Sequence, residues 1–180
     1  MDEIVEAALR KWPNVPHCYD WLALDARGDW YMRDERIQAA GPFPRVKGSR
    51  ILHDKLLGFI QRNYACDSQG CWFFHNGPQR VYVELESTPW VWRIDRLPTG
   101  GWAVSSHTGR AAQALSSWLD ETGRLFLHTD IGFGLVHSLD TGLASEVIEG
   151  GVWQPQEMAA AEMPARFRYV QRPRPGSGAG

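Results

Sequence analysis

Residues Asp2 to Trp12 place Ile4, Val5, Ala8, Leu9 and Trp12 on one stripe at helical spacing, and Pro13 and Pro16 end it. The period then shortens. In "CYDWLALDARGDWYMRD" the Trp21/Ala23 and Leu22/Leu24 pairs, then "DARG", then Trp30 and Tyr31, predict a β-hairpin. "AAGPFPRVKGS" reads as a Pro/Gly loop. From Arg50 to about Asn63 the helical stripe returns as Ile51, Leu52, Leu56, Phe59 and Ile60, with Ser49 as its cap. "DSQGCWFF" predicts a second hairpin, followed by strands over Arg80–Glu86, Trp90–Asp95 and "WAVSSH". Thr108 is then expected to cap a helix from Gly109 to Leu119. "DETGRLFLH" predicts a third hairpin and "FGLVHSL" a strand. A short helix over Thr141–Gly150 follows, and a polar tail ends in a Pro/Gly-rich stretch expected to be disordered.

The pattern contains a repeat. Asp67-x-x-Gly70-x-Trp72-Phe73-x-His75 matches Asp120-x-x-Gly123-x-Leu125-Phe126-x-His128, and Asp25-x-x-Gly28-x-Trp30-Tyr31 is a third copy. Aspartate opens such a turn by accepting backbone N–H bonds, and glycine takes its positive-φ position. The expected fold class is α+β: tandem helix, β-hairpin and strand repeats forming small antiparallel sheets packed on helices. Its expected segments are an N-terminal helix and hairpin (1–48), a first repeat (49–107), a second repeat (108–153) and a C-terminal extension (154–180).

Composition narrows the partners. The chain has 180 residues and a net charge of −2, and it shows no basic stripe, so nucleic acid is not expected to bind. Arg166, Arg168, Arg172 and Arg174 read as a solvated basic tail. The acidic, amphipathic start is not a signal peptide, and no apolar run approaches the ~20 residues that span a bilayer. A cytoplasmic protein with reduced thiols is expected, Cys18, Cys66 and Cys71 matching no zinc spacing. No metal or cofactor is expected. The nine tryptophans serve as core bulk or as aromatic walls.

Two stretches carry candidate chemistry. Along Arg80–Glu86, Val81, Val83 and Leu85 share one face, and Arg80, Tyr82, Glu84 and Glu86 the other. That polar face looks at water, an adjoining strand or a ligand. In "SSHTGR", His107 and Arg110 flank an expected helix N-terminus, whose free N–H groups suit a phosphate or carboxylate. A plain threonine cap is the blander reading. The candidate ligand site is Arg80, Tyr82, Glu84, Trp92, His107 and Arg110. Asp25, Asp67 and Asp120 read as turn residues, and no catalytic residue is assigned.

The runs "KWPNVPHCYDWLALDARGDWYMRDE", "FIQRNYACDSQGCWFFHNGPQRVYVELESTPWVWR" and "SHTGRA" resemble an uncharacterised proteobacterial family of the "domain of unknown function" kind. Gly28-Asp29-Trp30-Tyr31, Asp67 to Gly70 and Val81 to Val91 are similar, more distantly, to another uncharacterised bacterial family. That second resemblance implies repeated α+β motifs and a role in signal transduction. The functional expectation is a cytosolic module that binds a small anionic molecule or a protein partner. The alternatives are a hydrolase or transferase acting on a small anion, with His107 as base and Arg110 as clamp, and a scaffolding protein. The balance leans away from an enzyme.

Overall fold

The computed structural model describes residues 1–176. The chain is a mixed α+β protein dominated by sheet. It divides into two units. The first takes residues 1–25, 29–86 and those from Tyr169 onward; the second takes 26–28 and 87–168. The division therefore falls inside the expected segment 49–107.

The first unit opens with α1 (Glu3–Lys11), β1 (Cys18–Leu24), β2 (Trp30–Met32), α2 (Glu35–Ala40) and β3 (Ser49–Arg50). It continues with α3 (Asp54–Arg62), β4 (Tyr64–Cys66), β5 (Trp72–Asn76) and β6 (Gln79–Leu85). Its sheet runs β3-β2-β1-β6-β5-β4, with β6 parallel to β1 and the other pairs antiparallel. Two expectations change. Ser49 caps no helix, because it pairs with Met32 while Ile51 donates its N–H to the Trp30 carbonyl. His53 caps α3 instead, its Nδ1 accepting the Leu56 N–H at 3.3 Å. Of the α1 stripe only Val5 is buried. The apolar interior includes Leu24, Trp30 and Ile60, with the Tyr64 ring set edge-on to Trp30.

The second unit holds β7 (Trp90–Arg96), β8 (Trp102–Ser106), β9 (Ala111–Ala112), β10 (Ala114–Leu119), β11 (Leu125–Thr129) and β12 (Gly132–Val136). After them come α4 (Thr141–Glu149), β13 (Gln156–Glu157) and α5 (Met163–Phe167). The helix expected over 109–119 is replaced by the short β9 and by β10, whose Ser117, Trp118 and Leu119 pair with Leu127, Phe126 and Leu125. Cross-strand partners outweigh the helix propensity of the alanines there. The sheet order is β13-β10-β11-β12-β7-β8-β9, mixed rather than purely antiparallel, because β12 lies parallel to β7 and β13 to β10. Leaving out β13 and read from its other end, β9-β8-β7-β12-β11-β10, this order matches that of the first sheet strand for strand. Trp90, Trp92, Ile94, Phe126 and Leu127 fill its core.

One turn recurs. The N–H of Asp25, Asp67, Leu97, Ser106 and Asp120 each donates to the carbonyl four residues on, at 2.8–3.1 Å. The residue three positions on is always glycine, with φ between 78° and 84°. This is the three-residue hairpin loop closed by a left-handed glycine. Where aspartate or serine leads, its side chain holds the loop: Asp67 Oδ1 accepts the N–H of Gln69 and Cys71, both at 2.9 Å. Ser106 Oγ does the same for Thr108 and Arg110, and Asp120 Oδ1 for Thr122 and Arg124.

Asp120 is fully buried and also takes the Arg124 guanidinium at 2.7 Å. Burial pushes its carboxyl up, but the bonds from Arg124 and Thr122 outweigh this and hold it below the usual carboxylate range. Its stabilisation is thus present above the unfolded carboxylate pKa and lost as pH falls through the folded one. Asp120→Ala is expected to cost about 2 kcal/mol at pH 7 in urea denaturation, and less at pH 3. A cost independent of pH would contradict this account.

Among the described residues no helix is long and apolar enough to cross a membrane. The disorder expected at the chain end falls partly on residues 177–180, which lie outside the described residues. Ahead of that stretch the N–H of Val170 donates to the Gly70 carbonyl, and the N–H of Leu85 to the Gln171 carbonyl.

Candidate functional site

The six residues expected to form a site divide between the units, three in each. In the first unit β6 is paired along both edges, by β1 and β5, and every residue from Val81 to Leu85 is buried, so both its faces are covered there. Arg80 lays its guanidinium 4.6 Å from the centre of the Phe73 ring. Tyr82 is buried, stacks on Tyr19 at 4.7 Å and donates its hydroxyl to Asp67 Oδ2 at 3.0 Å. Glu84 is 5% exposed. Three guanidinium groups surround it: Arg33 Nε at 3.8 Å, Arg172 Nε at 3.9 Å and Arg174 Nη2 at 3.8 Å. Burial raises the Glu84 carboxyl above its usual range, the three arginines opposing the shift without cancelling it.

The polar face of β6 is therefore not solvated around Glu84, and Arg172 and Arg174 are not a free basic tail. An isolated carboxylate there would cost several kcal/mol. The arginines from β2's end and from the C-terminal segment offset that cost, and Arg174 also bonds Asp20.

In the second unit Trp92 is wholly buried and donates its indole N–H to the Leu127 carbonyl at 3.1 Å. It is core. "SSHTGR" is the β8–β9 hairpin turn rather than a helix N-terminus, so it offers no row of unpaired N–H groups. His107 Nδ1 accepts the Val91 N–H at 3.3 Å, with its ring 5.7 Å from that of Trp90. Arg110 sits over Trp90 at 5.5 Å.

The second unit also carries a concavity of about 290 Å³ that the sequence reading missed. Its floor comes from strand register. Ser116 pairs with His128 and His128 with Phe133, which sets a hydroxyl, an imidazole and a phenyl ring in one row. The next row begins with Trp118, whose indole N–H donates to Ser116 Oγ at 3.1 Å. α5 supplies the rim. Phe167 lies flat on Phe133, with ring centres 3.7 Å apart and planes 7° apart. Arg166 and Arg168 flank it, both exposed, and Arg168 has left-handed backbone at φ 54°. Neither guanidinium has an ion-pair or hydrogen-bond partner among the described residues. The pieces are two free cations, an imidazole and a hydroxyl around an aromatic floor, which suits an anion with an apolar body.

The signals for this site were weak but present. Ser116 and Trp118 alternate within a run read as helix, and Arg166 and Arg168 bracket an aromatic residue inside a run read as tail. Nucleophile chemistry is not favoured at the thiols. All three cysteines are free, and burial together with the nearby Asp67 and Cys71 pushes the Cys66 thiol up to about 11. Among the described residues no group of three or more His, Cys, Asp or Glu side chains is arranged to hold a metal ion.

No curated protein matches the chain. Among solved structures, it is similar to a DUF1285 family protein from Silicibacter pomeroyi DSS-3, at 11% identity and a TM-score of 0.51, covering 82% of this chain and 85% of that one. It is also similar to a DUF1285 family protein from Shewanella baltica OS155, at 17% identity and a TM-score of 0.46, covering 70% of this chain and 91% of that one. The first of these likenesses extends to the fold alone. A family described as protein of unknown function (DUF2946) matches residues 1–174, and the chain belongs to that family.

Proposed function

We propose that this protein is a binding module for a small anionic molecule, taken up in the concavity between β10–β12 and α5. The observation that carries this reading is the uncommitted pair Arg166 and Arg168 beside an aromatic floor. Elsewhere the arginines near candidate positions are engaged: Arg33, Arg172 and Arg174 face Glu84, and Arg80 and Arg110 lie over aromatic rings. Free guanidinium groups at a concave rim are the standard means of holding a carboxylate or phosphate. We also read the shared strand order of the two sheets as an internal duplication, in which the first unit's copy became a charged core around Glu84 and the second kept an open face. A cytosolic signalling role fits such a module.

The test is a titration with acetate and with inorganic phosphate, followed by amide NMR. Shifts are expected at Ser116, His128 and Gly132, and the Arg166→Ala/Arg168→Ala variant should bind about tenfold or more weakly, as loss of charge-assisted hydrogen bonds implies. Its stability should stay within about 1 kcal/mol of the parent, because both residues are exposed. Shifts that map elsewhere, or that persist unchanged in the variant, would remove this site.

A further inference from the structure

We infer that Phe167 occupies the place of the ligand's own ring, so that the concavity takes a planar aromatic compound bearing one anionic group. This rests on the anion site proposed above and names the class of ligand it accepts.

The stacking is the first support. Phe167 and Phe133 lie face to face at 3.7 Å, closer than the 4.5–7 Å range common for aromatic pairs in proteins. The two rings are stacked nearly parallel, as a bound planar ring would be on the same floor. Phe133 is a fixed partner, since it is buried in β12. Phe167 is not fixed in the same way. It is only half-buried, and its helix is five residues long. The left-handed Arg168 that follows is a conformation costing a non-glycine residue ~1 kcal/mol or more, so an alternative backbone lies within reach.

The rest of the rim fits the same guest. His128 and Trp118 present their rings to Phe167 at 5.4 and 5.7 Å, tilted and edge-on, and close the sides of a flat slot. Arg166 and Arg168 stand on either side of the plug in sequence and both line the concavity, so a ring in Phe167's position has a guanidinium within reach of its substituent. The space beside Phe167 is about 290 Å³, at the low end for ligand sites, so a ring in Phe167's place together with what that space admits amounts to one or two fused rings with a carboxylate rather than a dinucleotide.

The ligand must break the Phe133–Phe167 stack to enter, so removing the plug should tighten binding. The experiment titrates the full chain with 1-naphthoate, its uncharged isostere 1-naphthamide and the non-planar anion cyclohexanecarboxylate, in the parent, Phe167→Leu and Phe167→Ala. Leucine keeps apolar bulk at the position without a flat ring, so it guards against loss of fold in the alanine variant. In the parent, 1-naphthoate is expected to bind at least tenfold tighter than either of the other probes. Phe167→Leu should tighten 1-naphthoate about fivefold, the factor expected for loss of one aromatic pair, and leave cyclohexanecarboxylate unchanged. If Phe167→Leu weakens 1-naphthoate, Phe167 is a wall of the site and the inference fails while the anion site stands. Equal binding of the planar and non-planar anions has the same consequence. If none of the three chains binds either anion, the anion site itself is overturned.

Discussion

Gly134→Ala is expected to unfold the second unit or cost it about 4 kcal/mol or more, a size reserved for a clash the core cannot absorb. Gly134 lies opposite Trp90 where β12 and β7 run parallel. A Cβ there would stand 2.5 Å from the Trp90 carbonyl oxygen, 2.5 Å from Trp92 Nε1 and 2.8 Å from Trp90 Cβ. Two of the three are backbone or the root of a side chain, so rotamer changes cannot relieve them. The third carries the hydrogen bond to the Leu127 carbonyl. Either the central strands move apart or the indole gives up its partner. Gly142→Ala is the matched control: its Cβ meets nothing within 4 Å, and the residue sits in α4, where alanine is favoured. Chemical denaturation of both variants checks the pair, and a loss below about 1 kcal/mol for Gly134→Ala would show that the sheet has slack this packing does not reveal.

The second large effect belongs to Arg33→Ala in the first unit, at roughly 3–5 kcal/mol near pH 7. Arg33 is 2% exposed. Its guanidinium donates to the carbonyls of Gly41 and Val46, lies over Phe43 and faces Glu84. Removing it takes the guanidinium donor from two part-buried carbonyls and the largest opposing charge from a carboxylate already raised by burial. The sign follows from that direction. A carboxyl whose folded pKa lies above its unfolded value is favoured in the fold when protonated. The fold therefore loses stability as pH rises from the unfolded value through the folded one. The loss caused by Arg33→Ala should accordingly shrink at pH 4, and Glu84→Gln in the same chain should recover about 1–2 kcal/mol at pH 7. A loss that Glu84→Gln does not reduce would place the effect in the carbonyl bonds alone.

What the sequence disclosed, and what it hid, follows from the range of the interactions. The hairpin turns were legible because aspartate and glycine act within five residues, and the same reasoning would have found Ser106 to Arg110 had serine been weighed as an aspartate substitute. The strand over Arg80–Glu86 was legible from its alternation, and its place between β1 and β5 was not. Its polar face becomes a charged interior where Arg33, Arg172 and Arg174 meet the buried Glu84, and the last two lie some ninety residues further along the chain. The same distance problem hid the concavity. Phe133 and Phe167 meet only because α5 returns to β12, and the run containing Ser116 and Trp118 reads as helix unless β11 is known to lie beside it.

The first unit is closed by residues that follow the whole of the second. Val170 bridges to Cys71, Gln171 receives the Leu85 N–H, and Arg172 and Arg174 face Glu84. During synthesis from the N-terminus, the strands of the first unit emerge early but wait for their final cover until residue 174 has been made. Through that interval Glu84 has only Arg33 to answer its charge. The nascent first sheet thus lacks these bridges and charges for as long as the ribosome takes to translate the second, and a chain stopped at residue 168 would carry all six strands of the first sheet without them.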